Sequence, residues 1–336
     1  MESEAKILRL VNTVLVSPAL AESNNGNWHT AHRWAQFLSS HCDITLLPRW
    51  SANGNTHAST TQGRAPQIMV ALHARRSAPS IQAWAKAYPD KPLVVVLTGT
   101  DLYRDIHQDA SAQQSLALAS HLVVLQGAGL AAVPDAWHSK TQVIYQSAPA
   151  LKPAVKSKRI FRALMVGHLR DEKDPLTFMK AARQAQTKGI YFDKIGLSLE
   201  PRFAKAALAT AQQNNRYCWL GGLPRALTRQ HIKRAHVLVN CSQMEGGAQV
   251  ILEAVQSATP VLATRVDGNV GMLGSDYAGY FELGNAAQLA SLIQKCAAEP
   301  DFLALLQSQC HERAALFDPQ EEKRLVINLI TTAAKP

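Results

Sequence analysis

Two α/β domains, each built on a parallel sheet, are what this sequence predicts, and three observations predict them. Short apolar runs alternate with helix-length segments along most of the chain, the rhythm of βαβ units. That rhythm stops once, at residues 147–158, where Pro149 and Pro153 fall among lysines, and then restarts. The length, 336 residues, suits two domains of about 150 residues each. Domains of 1–150 and 151–336 are expected, with the last helix able to pack back on the first. Ligands of open parallel sheets bind beyond the carboxyl ends of the strands, so the expected site is a cleft that both domains face.

In the first half, residues 13–16, 67–72, 93–97 and 122–125 are continuous apolar runs and read as buried strands. Helical patterns at 28–39, 79–87 and 110–119 separate them. Residues 53–62, rich in Asn, Ser and Thr, read as a loop. After the break, strands at 162–166, 194–199, 217–220, 236–240 and 260–263 alternate with helices at 175–187, 202–213, 225–234 and 248–257. No internal repeat interrupts this order.

An apolar fraction of 47% against 18% charge fits a packed core rather than disorder. No run approaches the ~18 apolar residues of a membrane span. Lys+Arg of 35 against Asp+Glu of 25 leaves a net charge of +10. These cations are dispersed, with no basic and aromatic stripe. Neither nucleic acid nor membrane is therefore an expected partner, whereas a small multivalent anion is. Five scattered cysteines never form C-x-x-C, which excludes a disulfide framework and a cysteine-based zinc site. Met1 to Lys6 lack the basic and apolar stretches of a secretory signal, and a cytoplasmic location is expected. His29 and His32 lack a third ligand nearby, so no metal site is expected.

Six segments can carry chemistry. Ser23-Asn24-Asn25-Gly26-Asn27 precedes a helix, whose unpaired N–H groups and positive end suit an anion; it would serve equally as an Asn-capped loop. His73-Ala74-Arg75-Arg76 follows a strand, where two forked cations can hold a phosphate-like group. In Thr98-Gly99-Thr100-Asp101, Asp101 is either a base projecting into the cleft or, with Thr100, a helix cap. Gly167-His168-Leu169-Arg170-Asp171-Glu172-Lys173-Asp174 combines a strand end, a glycine and cations suited to a diphosphate. Arg170 could instead pair on the surface with Glu172 or Asp174.

Ser242-Gln243-Met244-Glu245-Gly246-Gly247-Ala248 is the strongest, because Glu253 follows Glu245 by eight positions inside an apolar helix. A carboxylate there is costly to bury unless it accepts hydrogen bonds, and sugar hydroxyls are suitable donors. Last, Gly268-Asn269-Val270-Gly271-Met272-Leu273-Gly274 reads as a loop whose N–H groups can nest a phosphate.

On the glycine-led segment from Gly167, on Glu245 and Glu253 in their Ser-x-x-Glu-Gly context, and on Thr259-Pro260-Val261-Leu262-Ala263, the second half resembles glycosyltransferase family 4. A narrower resemblance is to the selenosugar synthases of selenoneine biosynthesis. It rests on Asn25-Gly26-Asn27, Leu72-His73-Ala74-Arg75-Arg76, Thr98-Gly99-Thr100-Asp101-Leu102-Tyr103-Arg104-Asp105, and Gly268 to Gly274 followed by Asp276-Tyr277.

These resemblances imply a GT-B fold and a metal-independent enzyme that moves a hexose, such as N-acetylglucosamine, from a UDP-sugar to selenophosphate. They imply Glu245, Lys173, Arg170 and Asp101 as catalytic. Glu253, His168, Gly246, Gly247, Gly271, Met272 and Leu273 are implied for the donor, with Glu253 on the ribose. Gly26, Asn27, His73, Arg75, Arg76 and Thr100 are implied for the acceptor. The sequence departs from the wider family at His168, where an arginine is usual, and at Asp174, where a glycine is usual.

Overall fold

The computed structural model describes residues 11–19, 26–52 and 65–334. Ser23, Asn24, Asn25 and the loop expected at 53–62 lie outside them. The chain divides into two compact units, Met1–Gln146 with Pro319–Pro336, and Ser147–Asp318.

The first unit holds β1 (Asn12–Val16), β2 (Asp43–Leu47), β3 (Ile68–Leu72), β4 (Leu93–Leu97), β5 (His121–Val124) and β6 (Thr141–Val143). They form one sheet in the order β2-β1-β3-β4-β5-β6, every pair parallel. Side chains alternate across it. Leu15, Val70 and Val94 pack with Trp34 of α1 (Gly26–Leu38) and Ile330 of the C-terminal helix (Pro319–Ala333). Val14, Met69 and Val95 pack on the other side with Trp84 of α2 (Ala78–Ala87) and Leu116 of α3 (Ala110–Leu118).

Residues 319–336, expected in the second domain, thus belong to the first unit. A buried ion pair holds them there. Glu322 accepts Arg33 Nε at 2.7 Å, Arg33 Nη2 at 3.0 Å and Trp34 Nε1 at 2.8 Å. This fork satisfies both carboxylate oxygens, which is what makes burying the charge tolerable.

The second unit repeats the plan with β7 (Phe161–Val166), β8 (Ile190–Ile195), β9 (Tyr217–Trp219), β10 (Val237–Asn240), β11 (Val261–Thr264) and β12 (Tyr280–Phe281). Its order is β12-β11-β10-β7-β8-β9, again all parallel. Helices α4 (Pro175–Gln184), α5 (Pro201–Gln213), α6 (Arg225–Arg234), α7 (Gln249–Val255) and α8 (Asp267–Leu273) lie between successive strands and form the crossovers.

Both sheets reverse their winding once, between β1 and β3 in the first and between β7 and β10 in the second. In doubly wound sheets this is where a crevice opens at the carboxyl ends. Two expectations need correction. β8 ends at Ile195 rather than 199, because Gly196 turns the chain at φ +144° against Gly167. Residues 268–273 are not a loop but part of helix α8, and Gly274 ends it at φ +94°. A Cβ on Gly268 would lie 1.8 Å from the Glu245 carbonyl oxygen, so this glycine serves close packing rather than a turn. Among the described residues no helix is long and apolar enough to cross a membrane.

Candidate active site

In the second unit the reversal point is flanked by the turn after β7 and the loop after β10. These bring Lys173 to Glu245, with Nζ to Oε1 at 2.5 Å. Ser242 Oγ donates to the same oxygen at 2.6 Å and Asn240 Nδ2 at 3.3 Å. Burial pushes the Glu245 carboxyl up, but the Lys173 charge and these donors together hold it below the usual carboxylate value. Glu245 is therefore a buried, ionised carboxylate with its described partners converging on one oxygen.

The supporting shell is also polar. The Ser242 carbonyl accepts Thr264 Oγ1 at 2.6 Å, and Asn269 Nδ2 of α8 donates to Thr264. Glu253, on α7 beyond the Gly246–Gly247 bend, is 4% exposed and accepts Arg225 Nε at 2.9 Å. The two glutamates thus sit at successive levels, one in the loop and one in the helix, each held by a cation.

The turn after β7 carries Gly167 at φ +151° and Asp174 at φ +41°. A left-handed backbone at 174 favours glycine; aspartate is tolerated because its carboxylate caps α4, accepting Thr177 N–H at 3.2 Å. His168 and Arg170 lie half-buried in the same turn. Arg170 Nε is 3.8 Å from Glu172 Oε2, the surface pairing that the sequence left open.

The expected anion nest at Gly271, Met272 and Leu273 is corrected. These residues form the last turn of α8, and the carbonyls of Gly271 and Met272 accept the Arg313 guanidinium at 3.2 and 2.9 Å. Met272 and Leu273 are buried, and Met272 Sδ accepts the Ala248 N–H. A helix's carboxyl end draws cations rather than phosphates.

In the first unit, Gly26 and Asn27 open α1, and the Gly26 carbonyl accepts Thr30 Oγ1. His73 stands past the end of β3 at φ 71° and is 2% exposed. An arrangement this strained persists only where its surroundings enforce it. The Arg76 N–H donates to His73 Nδ1 at 3.3 Å, which assigns Nε2 as the N–H that faces Thr100 Oγ1 at 3.0 Å. Burial lowers the His73 value below its ordinary one, favouring this neutral ring. Arg75 pairs with the buried Asp105 at 2.7 Å, and Arg76 is exposed.

Asp101 is a correction. It is wholly buried, and its two oxygens accept the backbone N–H groups of Thr98, Gly99 and Ala74, each at 2.9 Å. A carboxylate saturated in this way ties two strand ends together and does not serve as a base.

Sequence reasoning gave no role to four contributors, although Ser242 opens the segment it singled out. Asn240 and Ser242 are ordinary polar residues whose role exists only through Glu245. Arg225 gave no signal beyond its place at a helix start. Lys194, a lysine in an otherwise buried strand, is the one visible in advance. Among the described residues no cluster of three His, Cys, Asp or Glu side chains could hold a metal ion.

Two six-stranded parallel sheets with carboxyl-end loops of this kind define the GT-B fold of glycosyltransferases. Within it, residues 151–315 match the family model described as glycosyl transferases group 1. A curated relative, glycosyltransferase 1 domain-containing protein 1 of Xenopus tropicalis, is 27% identical over 148 residues; these are 44% of this chain and 43% of the relative.

Among solved structures, Anabaena HepE in complex with UDP and glucose superimposes with a TM-score of 0.75 at 15% identity, covering 96% of this chain and all of that one. The sucrose-phosphate synthase of Thermosynechococcus elongatus gives 0.74 at 15%, covering 96% and 98%. A glycosyltransferase of Rickettsia africae gives 0.73 at 17%, covering 97% and 99%.

Proposed function

We propose that the chain is a metal-independent glycosyltransferase that moves N-acetylglucosamine or a related hexose from a UDP-sugar to selenophosphate, releasing UDP and forming a selenium-linked sugar. The observation that supports it best is the buried Lys173–Glu245 pair at the reversal point of the second sheet, with Glu253 eight residues on. The neighbour HepE binds UDP and glucose, and UDP-glucose in a second crystal. A donor of that class is assigned here to the second unit.

The hard step is departure of the diphosphate. The bond from the anomeric carbon to the diphosphate oxygen breaks, its electron pair stays on that oxygen, and the selenium lone pair forms the new bond to carbon. Negative charge grows on the leaving group, and a preorganised cation is the fitting stabiliser. Lys173 takes that part, passing from Glu245 towards the diphosphate while Glu245 turns to sugar hydroxyls. Glu253 exchanges Arg225 for the ribose hydroxyls. A selenium anion needs little base assistance, so holding a phosphorylated anion in place is the larger task. Arg76, His73 and Thr100 of the first unit are assigned to it, with Arg75 supporting through Asp105.

Mass spectrometry of the products from UDP-N-acetylglucosamine and freshly generated selenophosphate tests the reading. A selenium-linked hexose appearing together with UDP is expected. UDP release that needs an alcohol and ignores selenophosphate would instead make this a hydroxyl-directed transferase.

A further inference from the structure

Lys194 is the most deeply buried charged group in the second unit that the reaction above leaves unused. It lies on β8, paired in register with Met165 of β7, and none of its surface reaches solvent. Its described hydrogen bonds go to carbonyls rather than to a carboxylate: Nζ donates to Gly167 O at 2.5 Å and to Ile195 O at 3.2 Å. Burying an ammonium on carbonyl dipoles alone is costly. The same space filled by a leucine or methionine would bury no charge, so the cation calls for a reason.

Its surroundings supply one. The Gly167 carbonyl that it grips begins the turn leading to Lys173. That carbonyl is pressed from the other side by Gly196, where a Cβ would lie 1.8 Å away. The charged and titratable groups around it are Lys173 and His168 in that turn, Glu245 paired to Lys173, Cys241 past β10, and Asp174, which acts on Cys241. Lys173 disfavours a second positive charge beside it. Burial, opposed by Cys241 and helped to a smaller extent by Lys173, brings Lys194 down to about 7.

We propose that Lys194 is a positioning residue of the donor site, a buried cation that fixes the Gly167 turn carrying Lys173 and is charged when a diphosphate occupies that turn. This rests on the donor reading above. An arriving diphosphate offsets the repulsion from Lys173, so binding favours the ammonium form. Donor binding is therefore tightest where Lys194 already carries its proton, and it draws a proton from solvent where Lys194 does not.

Calorimetry with UDP-N-acetylglucosamine, whose diphosphate is a diester that does not titrate near neutrality, tests this between pH 6 and 8.5. Wild-type affinity is expected to fall ~5- to 10-fold across that range, and runs in two buffers of different ionisation enthalpy should show proton uptake at pH 8. Lys194→Met should bind ~10-fold more weakly at pH 6 and lose both the slope and the proton uptake. Lys194→Arg, charged throughout, should bind without slope, and it decides the matter should the methionine variant not fold. A wild-type slope and uptake in either folded variant overturns the proposal and leaves the donor reading intact. No donor binding by the wild type at any pH overturns the donor reading itself.

Discussion

At the carboxyl end of β4 the Asp101 carboxylate is saturated by three backbone N–H groups. Beyond the end of β10 the Glu245 carboxylate is also buried, yet its described partners are side chains, a lysine, a serine and an asparagine, all on one oxygen. Backbone donors cannot leave without unfolding the turn they belong to. Side-chain donors can rotate away when a ligand offers something better. Two acidic residues at strand ends thus divide the labour: one welds the scaffold, and the other stays exchangeable. Burial alone does not separate them; the identity of the donors does.

The sharpest way to break this contrast is Asp101→Ala. Three N–H groups would be left in a dry environment, and at about 1–3 kcal/mol per orphaned group the loss should reach about 3 kcal/mol or more. Denaturant unfolding measures it, and a loss under about 1 kcal/mol would refute the welding role. Glu245→Gln should do the opposite. Turnover is expected to fall by ~10²- to 10³-fold, with unfolding free energy changed by no more than about 1 kcal/mol. Undiminished UDP release would remove Glu245 from the reaction.

Much of this was legible beforehand, because buried parallel strands advertise themselves as apolar runs and the Glu245–Glu253 spacing is local. What escaped had non-local causes. β2 is half-exposed along its whole length and β6 has three residues, so neither forms an apolar run. Helix α8 was hidden by glycines, one of which serves contact with Glu245 from 23 residues upstream. That the last helix could pack back on the first domain was expected, but the ion pair that holds it, between Arg33 and Glu322, 289 positions apart, is one that no window of sequence can reveal. The role of Asp101 was equally invisible, since neither a base nor a helix cap describes a carboxylate that accepts N–H groups from the ends of two strands.

The cations of the first unit differ in exposure: Arg75 pairs with the buried Asp105, and Arg76 is exposed with its backbone N–H on His73. Arg76→Ala should raise the selenophosphate KM by ~10-fold, the scale of one charge-assisted hydrogen bond, and leave the Kd for UDP unchanged. Equal weakening of both would place Arg76 in the scaffold.

The smallest expected effect is on pH-dependent stability, and it isolates the Lys173–Glu245 pair. The folded-state value of Glu245 is lowered from 4.5. Its ionised form is therefore favoured by folding, and the stabilisation is fully present above the unfolded value. It is lost as pH falls through the lowered folded value, where both states carry the proton. Unfolding free energies of the wild type and Glu245→Gln should accordingly differ by a constant amount above pH ~5.5 and converge as the solution is acidified below pH ~4.5. A gap that persists unchanged to pH 3 would mean that Lys173, Ser242 and Asn240 together do not hold this carboxylate charged.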